Sequence, residues 1–300
     1  MKNQPRGIIT VLNTPFTGSD HIDVPALQRN VRRAINAGVA GFLVPAMASE
    51  VGELTSAEKV NIVDTVVNES QGSCCVIGGV AAPTRAERLA ISRTLLNLGC
   101  DGILVPLDHR ASYHDLESEL LELSEGNPGI LMVQDWAPDR YGLSLDNVLR
   151  LFDSVSHFNW LKIEVADAGH KYTQVLQATN GKLNVAGGWA VTRMMDGLER
   201  GVHAFMPTAM HSIYTEIYQR YSNGDREAAA TLFHQIQPVL AFSNQNLPLS
   251  IQFFKRLLHR QDIYNTDRVR INGEPLSADQ QSLADELIRK VITIEQGLNG

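Results

Sequence analysis

The chain has 300 residues, of which 44% are apolar and 20% charged, and its formal net charge is −7. That is ordinary globular composition, long enough for one large domain or two medium ones. A negative balance without a basic block argues against nucleic acid as a partner, and the longest apolar stretches are strand-sized, far short of the ~20 residues of a membrane helix. The segment Met1-Lys2-Asn3-Gln4-Pro5-Arg6 lacks the long apolar core of a signal peptide. Cys74, Cys75 and Cys100 make a poor disulfide set and read as reduced core thiols, so a cytoplasmic protein is expected.

In chain order, short apolar runs alternate with segments of helical period. Gly7 to Leu12 reads as the first strand, and Val24 to Ala37 as a helix closed by Gly38. Gly41 to Pro45 is the second strand. Ser56 to Glu69 is the second helix, with Thr55 as N-cap and Glu58 completing a capping box. Cys74 to Gly79 is the third strand, and a helix follows from about Thr84 to Leu98. Gly102 to Pro106 and a helix near Tyr113 to Ser124 make the fourth unit. Gly129 to Gln134 and a helix from Ser144 to about Ser154 make the fifth. Phe158 to Val165 is the sixth strand. Lys182 to Gly188 is the seventh, with a helix running to Arg200, and Val202 to Pro207 is the eighth. Beyond about residue 210 only helices are expected: His211 to Tyr221, Arg226 to Phe242, Leu249 to His259 and Ser277 to Gln296.

Near-continuously apolar strands are covered on both faces, and a regular βαβ succession implies a parallel sheet. Eight such units fit a closed (β/α)8 barrel, a TIM barrel of α/β class, over residues 1–210. Residues 211–300 are expected as a helical C-terminal extension packed on it. No G-x-G-x-x-G follows the first strand, which removes the usual dinucleotide fingerprint.

Lys162 stands inside the apolar sixth strand. Burying an ammonium without a partner is costly, and a buried lysine amine is a nucleophile suited to Schiff-base chemistry with a carbonyl. Barrel enzymes place their chemistry at the C-terminal ends of the strands. That rule selects Ala48, Ser49 and Glu50 after strand two, Asp135 in strand five, Lys162 and Glu164 in strand six, and Gly187, Gly188 and Trp189 after strand seven. Lys162 and Glu164 are two apart and share a face. They form either a structural ion pair or a nucleophile with a proton-moving neighbour. Asp135 reads either as a general acid/base or as a loop residue turning toward Pro138. The glycine pairs at Gly78-Gly79 and Gly187-Gly188 fit tight turns or ligand contact. The histidines lack metal-ligand spacing, so no metal is expected.

Thr14-Pro15-Phe16 after strand one, a small-residue loop ending in Glu50, the Pro138 loop and Lys162 in strand six together resemble the dihydrodipicolinate synthase/N-acetylneuraminate lyase family over nearly the whole chain. The resemblance implies a (β/α)8 barrel with a C-terminal helical bundle, and a homo-oligomer, either a tetramer built from dimers or a dimer. It also implies a Schiff base between Lys162 and the keto group of a 2-oxo acid, with no cofactor. Three positions depart from the family pattern. The usual Gly-Thr-Thr-Gly-Glu loop reads Ala46-Met47-Ala48-Ser49-Glu50, the tyrosine three residues before the strand-five proline is Asp135, and Leu107-Asp108-His109 replaces an aromatic pair. Val133-Gln134-Asp135, Lys162-Ile163-Glu164 and the glycine pair before Trp189 are similar to 2-keto-3-deoxy sugar-acid dehydratases.

On that resemblance Lys162 attacks C2 of a small-molecule 2-keto acid. Asp135 supplies acid/base chemistry. Ser49 and the amides of Ala48 and Ser49 hold the carboxylate, with Glu50 beside them. Glu164 tunes the lysine or meets a substrate hydroxyl. The alternatives are a pyruvate-dependent aldolase and a non-catalytic barrel that binds 2-oxo acids.

Overall fold

The computed structural model describes residues 4–298; residues 1–3 of the segment read above for a signal peptide, and residues 299–300 of the expected extension, lie outside them. Eight parallel strands close into one barrel in chain order: β1 (Gly7–Val11), β2 (Gly41–Val44), β3 (Cys75–Gly79), β4 (Gly102–Pro106), β5 (Ile130–Ala137), β6 (Phe158–Val165), β7 (Asn184–Gly187) and β8 (Ala204–Phe205). The helices between them are α1 (Val24–Asn36), α2 (Ser56–Ser70), α3 (Arg85–Asn97), α4 (Tyr113–Ser124), α5 (Leu145–Ser154), α6 (Ala168–Ala178) and α7 (Met194–Glu199). Four more follow: α8 (His211–Ser222), α9 (Arg226–Ser243), α10 (Leu247–Arg260) and α11 (Ala278–Leu298). Among the described residues no helix is long and apolar enough to cross a membrane.

Local chemistry starts the helices. Thr55 and Thr84 each close a capping box, with Glu58 and Glu87 reaching back to the cap amide. Ser112, Ser144 and Asp167 cap α4, α5 and α6 by accepting from backbone N–H groups three residues on. The sequence reading named no helix between β6 and β7. α6 occupies that interval because Asp167 caps it and Ala168, Lys171, Tyr172 and Val175 form its buried face at helical spacing. β8 is only two residues long, shorter than its apolar run suggested, since the ladder to β7 consists of Ala186–Ala204 and Gly187–Phe205.

The chain divides into two compact units. One holds the residues up to Gly7 together with Cys75–Met206; the other holds Ile8–Cys74 and the chain from Pro207 onward. In the first, Trp160, Phe158 and Phe205 are among the largest buried side chains. In the second, Phe16, Phe42, Tyr214, Phe253, Phe254 and Tyr264 fill that place. The cysteines are unbridged, and burial pushes the Cys100 thiol up to about 12, a value that keeps it protonated and inert.

One irregularity fixes the orientation of β6. Leu131 pairs with Phe158, yet Met132 pairs with Trp160, so Asn159 is an extra residue in the ladder. Its own side chain fills the gap: the Leu131 N–H donates to Asn159 Oδ1 (3.1 Å) and Asn159 Nδ2 donates to the Gly129 carbonyl (2.9 Å). Beyond this bulge Gln134 lies level with Lys162, and Trp136 with Glu164. Paired residues of a parallel ladder share a face and successive residues alternate. Gln134, Trp136, Lys162 and Glu164 therefore occupy one face, and Asp135 and Ile163 the other.

Candidate active site

Lys162 is buried on β6, and its Nζ lies 3.1 Å from Glu164 Oε1. Glu164 is held from two further sides: Gln134 Nε2 donates to Oε2 (2.6 Å), and the Trp189 backbone N–H donates to Oε1 (2.7 Å). Three donors on one buried carboxylate satisfy it and fix its position. Gly188 closes the arrangement, because a Cβ there would run into Glu164 Oε1. The turn after β7 is strained as well as tight. Trp189 and Val191 have φ of 48° and 52°, a left-handed conformation that a β-branched valine rarely adopts. The Trp189 ring packs edge-on against Trp136, with centroids 4.7 Å apart. The structure thus brings together Lys162, Glu164, Gly188 and Trp189 from the expected set.

Asp135 sits elsewhere. It is fully buried on the opposite face of β5, where Lys171 of α6 donates to Oδ2 (2.5 Å) and the Leu143 N–H donates to its carboxylate (3.1 and 3.2 Å). Lys171 also donates to the carbonyls of Tyr141 (3.0 Å) and Leu143 (2.5 Å) and lies over the Tyr141 ring. Burial pulls the Lys171 amine down while Asp135 pulls it back up. This pair clamps the loop after β5, and Gly142 leaves room for the carboxylate. Asp135 is therefore not the acid/base group beside Lys162 that its spacing from Pro138 suggested; strand alternation turns it away and Lys171 engages it.

A cavity of about 150 Å³ opens next to Glu164. Pro138, Tyr172, Gly187, Gly188, Trp189, Thr192 and Arg193 are among its walls. The Tyr172 phenol is pushed above its ordinary range, first by burial and then by the negative Glu164, with Arg193 acting in the opposite sense.

The loop after β2 belongs to the other unit and is internally saturated. Ser49 Oγ donates to the Leu12 carbonyl (2.6 Å) and accepts from the Ala46 N–H (2.9 Å), while the Ser49 N–H donates to the Ala46 carbonyl (2.9 Å). The carbonyls of Ala48 and Ser49 accept from Asn13 Nδ2 and Thr14 Oγ1, each at 2.7 Å. Glu50 is 2% exposed, with φ of 58°. Its Oε1 pairs with Lys255, and its Oε2 accepts from the N–H groups of Arg270 (2.5 Å) and Ile271 (2.7 Å). Lys255 is itself fully buried over the Phe16 ring, donates to the Arg268 carbonyl, and is lowered to about 8 by burial against the pull of Glu50. In this structure the hydroxyl and amide of Ser49 and the carboxylate of Glu50, both expected to bind substrate, are engaged in holding the loop.

Gln134, Lys171, Tyr172, Arg193 and Lys255 were not assigned roles from the sequence. Gln134 follows from the β5–β6 register, which sets it level with Lys162 and which strand alternation alone does not give. The spacing of Asp167, Lys171 and Val175 would have revealed α6, and with it Lys171 and Tyr172.

The model of the dihydrodipicolinate synthetase family matches residues 4–291. The chain belongs to this family. With it comes the enzyme class: family members are lyases. The chain is similar to 4-hydroxy-tetrahydrodipicolinate synthase of Xanthomonas campestris pv. campestris, 27% identical over 298 residues that cover 96% of this chain and 95% of that one. It is also similar to the enzyme of the same name from Oceanobacillus iheyensis, 23% identical over 245 residues covering 78% and 80% of the two chains. Among solved structures, dihydrodipicolinate synthase from Rhodopseudomonas palustris superposes with a TM-score of 0.85 at 18% identity, covering 95% of this chain and 97% of that one. N-acetylneuraminate lyase from Fusobacterium nucleatum superposes with a TM-score of 0.82 at 16% identity, covering 95% and 98%. At such identities the structural likeness establishes the shared barrel.

Proposed function

We propose that this lyase forms a Schiff base between Lys162 and the keto carbon of a 2-keto acid, and that it dehydrates a 2-keto-3-deoxy sugar acid. The observation that carries this reading is the buried Lys162–Glu164 pair, 3.1 Å apart and fixed by Gln134 and the Trp189 N–H. One carboxylate in contact with the amine is enough to move every proton. Glu164 takes a proton from the Lys162 ammonium, and the free amine adds to C2. Glu164 gives that proton to the new alkoxide, takes a second from the attacking nitrogen and passes it to the same oxygen, which leaves as water, and an iminium remains. Glu164 then removes a proton from C3; the C–H electron pair enters the C2–C3 bond, and the C=N pair moves onto nitrogen. The resulting enamine expels the C4 hydroxyl, which takes the proton from Glu164 and leaves as a second water. Hydrolysis of the conjugated iminium releases product and lysine. Asp135 takes no part, since it lies on the other face of β5.

The second reading, a pyruvate-dependent aldolase that breaks or makes the C3–C4 bond, is favoured by the names of the relatives. The protein is further proposed to work in the cytoplasm as a homo-oligomer on a small-molecule substrate without a cofactor. Borohydride reduction in the presence of pyruvate or a 2-keto-3-deoxy sugar acid is expected to add the ligand mass to the peptide containing Lys162. Absence of any adduct across a panel of 2-oxo acids removes the reading. Product analysis separates the two chemistries, because an aldolase releases pyruvate whereas a dehydratase retains every carbon.

A further inference from the structure

The cavity beside Glu164 lies behind β6, away from Lys162. Ile163 and Val165, which alternate with Lys162 and Glu164 along the strand, stand in its wall, and α6 supplies Ala168 and Tyr172. Of the residues around it, Glu164 alone pairs with Lys162. The Glu164 carboxylate stands against Gly188, another wall residue. Lys162 and the Trp189 N–H meet its Oε1, and Gln134 meets its Oε2. A carboxylate has about four acceptor positions, so one on Oε2 stays open. The Tyr172 hydroxyl lies 3.0 Å from where a Gly187 side chain would begin. Tyr172 is 3% exposed, and among the described residues its hydroxyl has no hydrogen-bond partner. Burial first, and Glu164 after it, keep the phenol protonated. A buried hydroxyl without a protein partner is costly, and ordered water is the usual remedy. The cavity, about 150 Å³, has room for about five waters at ~30 Å³ each. Ala166, Thr192 and Arg193 of its wall are exposed, so it reaches bulk solvent.

We propose that this cavity holds a water chain, anchored by the Tyr172 hydroxyl, through which Glu164 exchanges its proton with solvent from the side of β6 away from the substrate. The inference deepens the Schiff-base reading and rests on it for the carboxylic acid that Glu164 becomes on taking a proton from C3. That acid gives its proton to the adjoining water and takes another back from it. No bond to carbon changes, and the carboxyl differs only in which proton it carries. Tyr172 is a positioning residue here: it touches water, not the reacting bonds. A C3 proton taken by Glu164 is thereby replaced from solvent while the substrate occupies the other side of the strand.

Pyruvate in deuterium oxide is the probe, because its methyl protons sit on C3. Proton NMR on the full chain follows their exchange, and borohydride trapping on the same samples measures the Lys162 adduct. The wild type is expected to exchange them. Tyr172→Phe removes the anchor, whereas Ala168→Leu fills the cavity and keeps the hydroxyl. Each is expected to slow exchange about tenfold, the weight of one hydrogen bond, with the adduct within about twofold of wild type. A proton that cannot leave Glu164 returns to the carbon it came from, so abstraction continues without exchange. Where Tyr172→Phe does not fold, Ala168→Leu decides. Exchange at the wild-type rate in both variants, with the adduct intact, overturns the water route alone. Adduct and exchange falling together give Tyr172 a structural role and overturn it as well. Absence of any adduct in the wild type removes the Schiff base, and the route with it.

Discussion

Two buried lysine–carboxylate pairs, Lys162–Glu164 and Lys171–Asp135, use the same residue types for different ends. The first lines the face of β6 whose carboxylate borders the cavity; the second is sealed, with both side chains at 0% exposure. Substitution distinguishes them. Glu164→Gln keeps the shape but cannot shuttle protons, so kcat is expected to fall by about 10²–10⁴, while borohydride still traps some adduct at Lys162 over long incubation. Turnover within threefold of wild type would remove Glu164 from the mechanism. Asp135→Asn leaves Lys171 without its counter-charge in the interior, and urea unfolding is expected to show a loss of about 3–5 kcal/mol. Turnover per folded molecule should stay near that of the parent. A large kcat defect at unchanged stability would instead return Asp135 to the chemistry. Lys162 was legible from the sequence because a charge in an apolar strand is conspicuous. Asp135 misled because its distance from Pro138 carries no information about which way it faces.

At the scale of elements, the strands and most helix starts were readable from apolar runs and caps, and the Thr55–Glu58 box forms as expected. α6 was not, since His170, Lys171 and Tyr172 blur its apolar stripe, and its burial of Lys171 runs against hydropathy. The saturated loop after β2 was equally hidden: its partners Leu12, Asn13, Lys255 and Arg270 are distant in sequence. The turn after β7 offers a direct test of element-level precision. A Cβ at Gly188 would displace the Glu164 carboxylate, and a misplacement on the order of 1 Å costs ~10²-fold in rate. Gly188→Ala is therefore expected to lower kcat about a hundredfold with a far smaller change in melting temperature. An unchanged kcat would show that Glu164 need not stand where Gly188 lets it.

For the molecule as a whole, two histidines, His211 buried and His203 half-buried, set the response to mild acid. Burial, aided by Arg33, lowers His211 to about 3, and burial, aided by Arg6, lowers His203 to about 4. Both stay neutral in the fold: His211 sits between Thr10 Oγ1 (3.1 Å) and Asn30 Oδ1 (3.0 Å), and His203 Nδ1 accepts from the Val185 N–H (2.9 Å). In the unfolded chain both take up a proton below about pH 6.5. The unfolded state then binds two more protons than the folded one, so stability falls as the pH drops from about 6.5 toward 4, with a slope approaching about 2.7 kcal/mol per pH unit near pH 5. Urea midpoints measured from pH 7.5 to 5 should show this decline, and His203→Asn should roughly halve the slope whatever it does to stability at pH 7.5. A flat profile over that range would mean that both imidazoles titrate normally.

The bulge at Asn159 makes the direction of Lys162 a matter of arithmetic. One residue drops out of the ladder between Phe158 and Trp160, and everything after it counts from a new origin. Odd and even positions along β6 exchange meaning there, much as a frame shift changes the reading of a code. An alignment of relatives that matches letters while ignoring such a shift will pair an inward residue with an outward one. Phase relative to the bulge is thus the coordinate in which the chemistry of this strand is written.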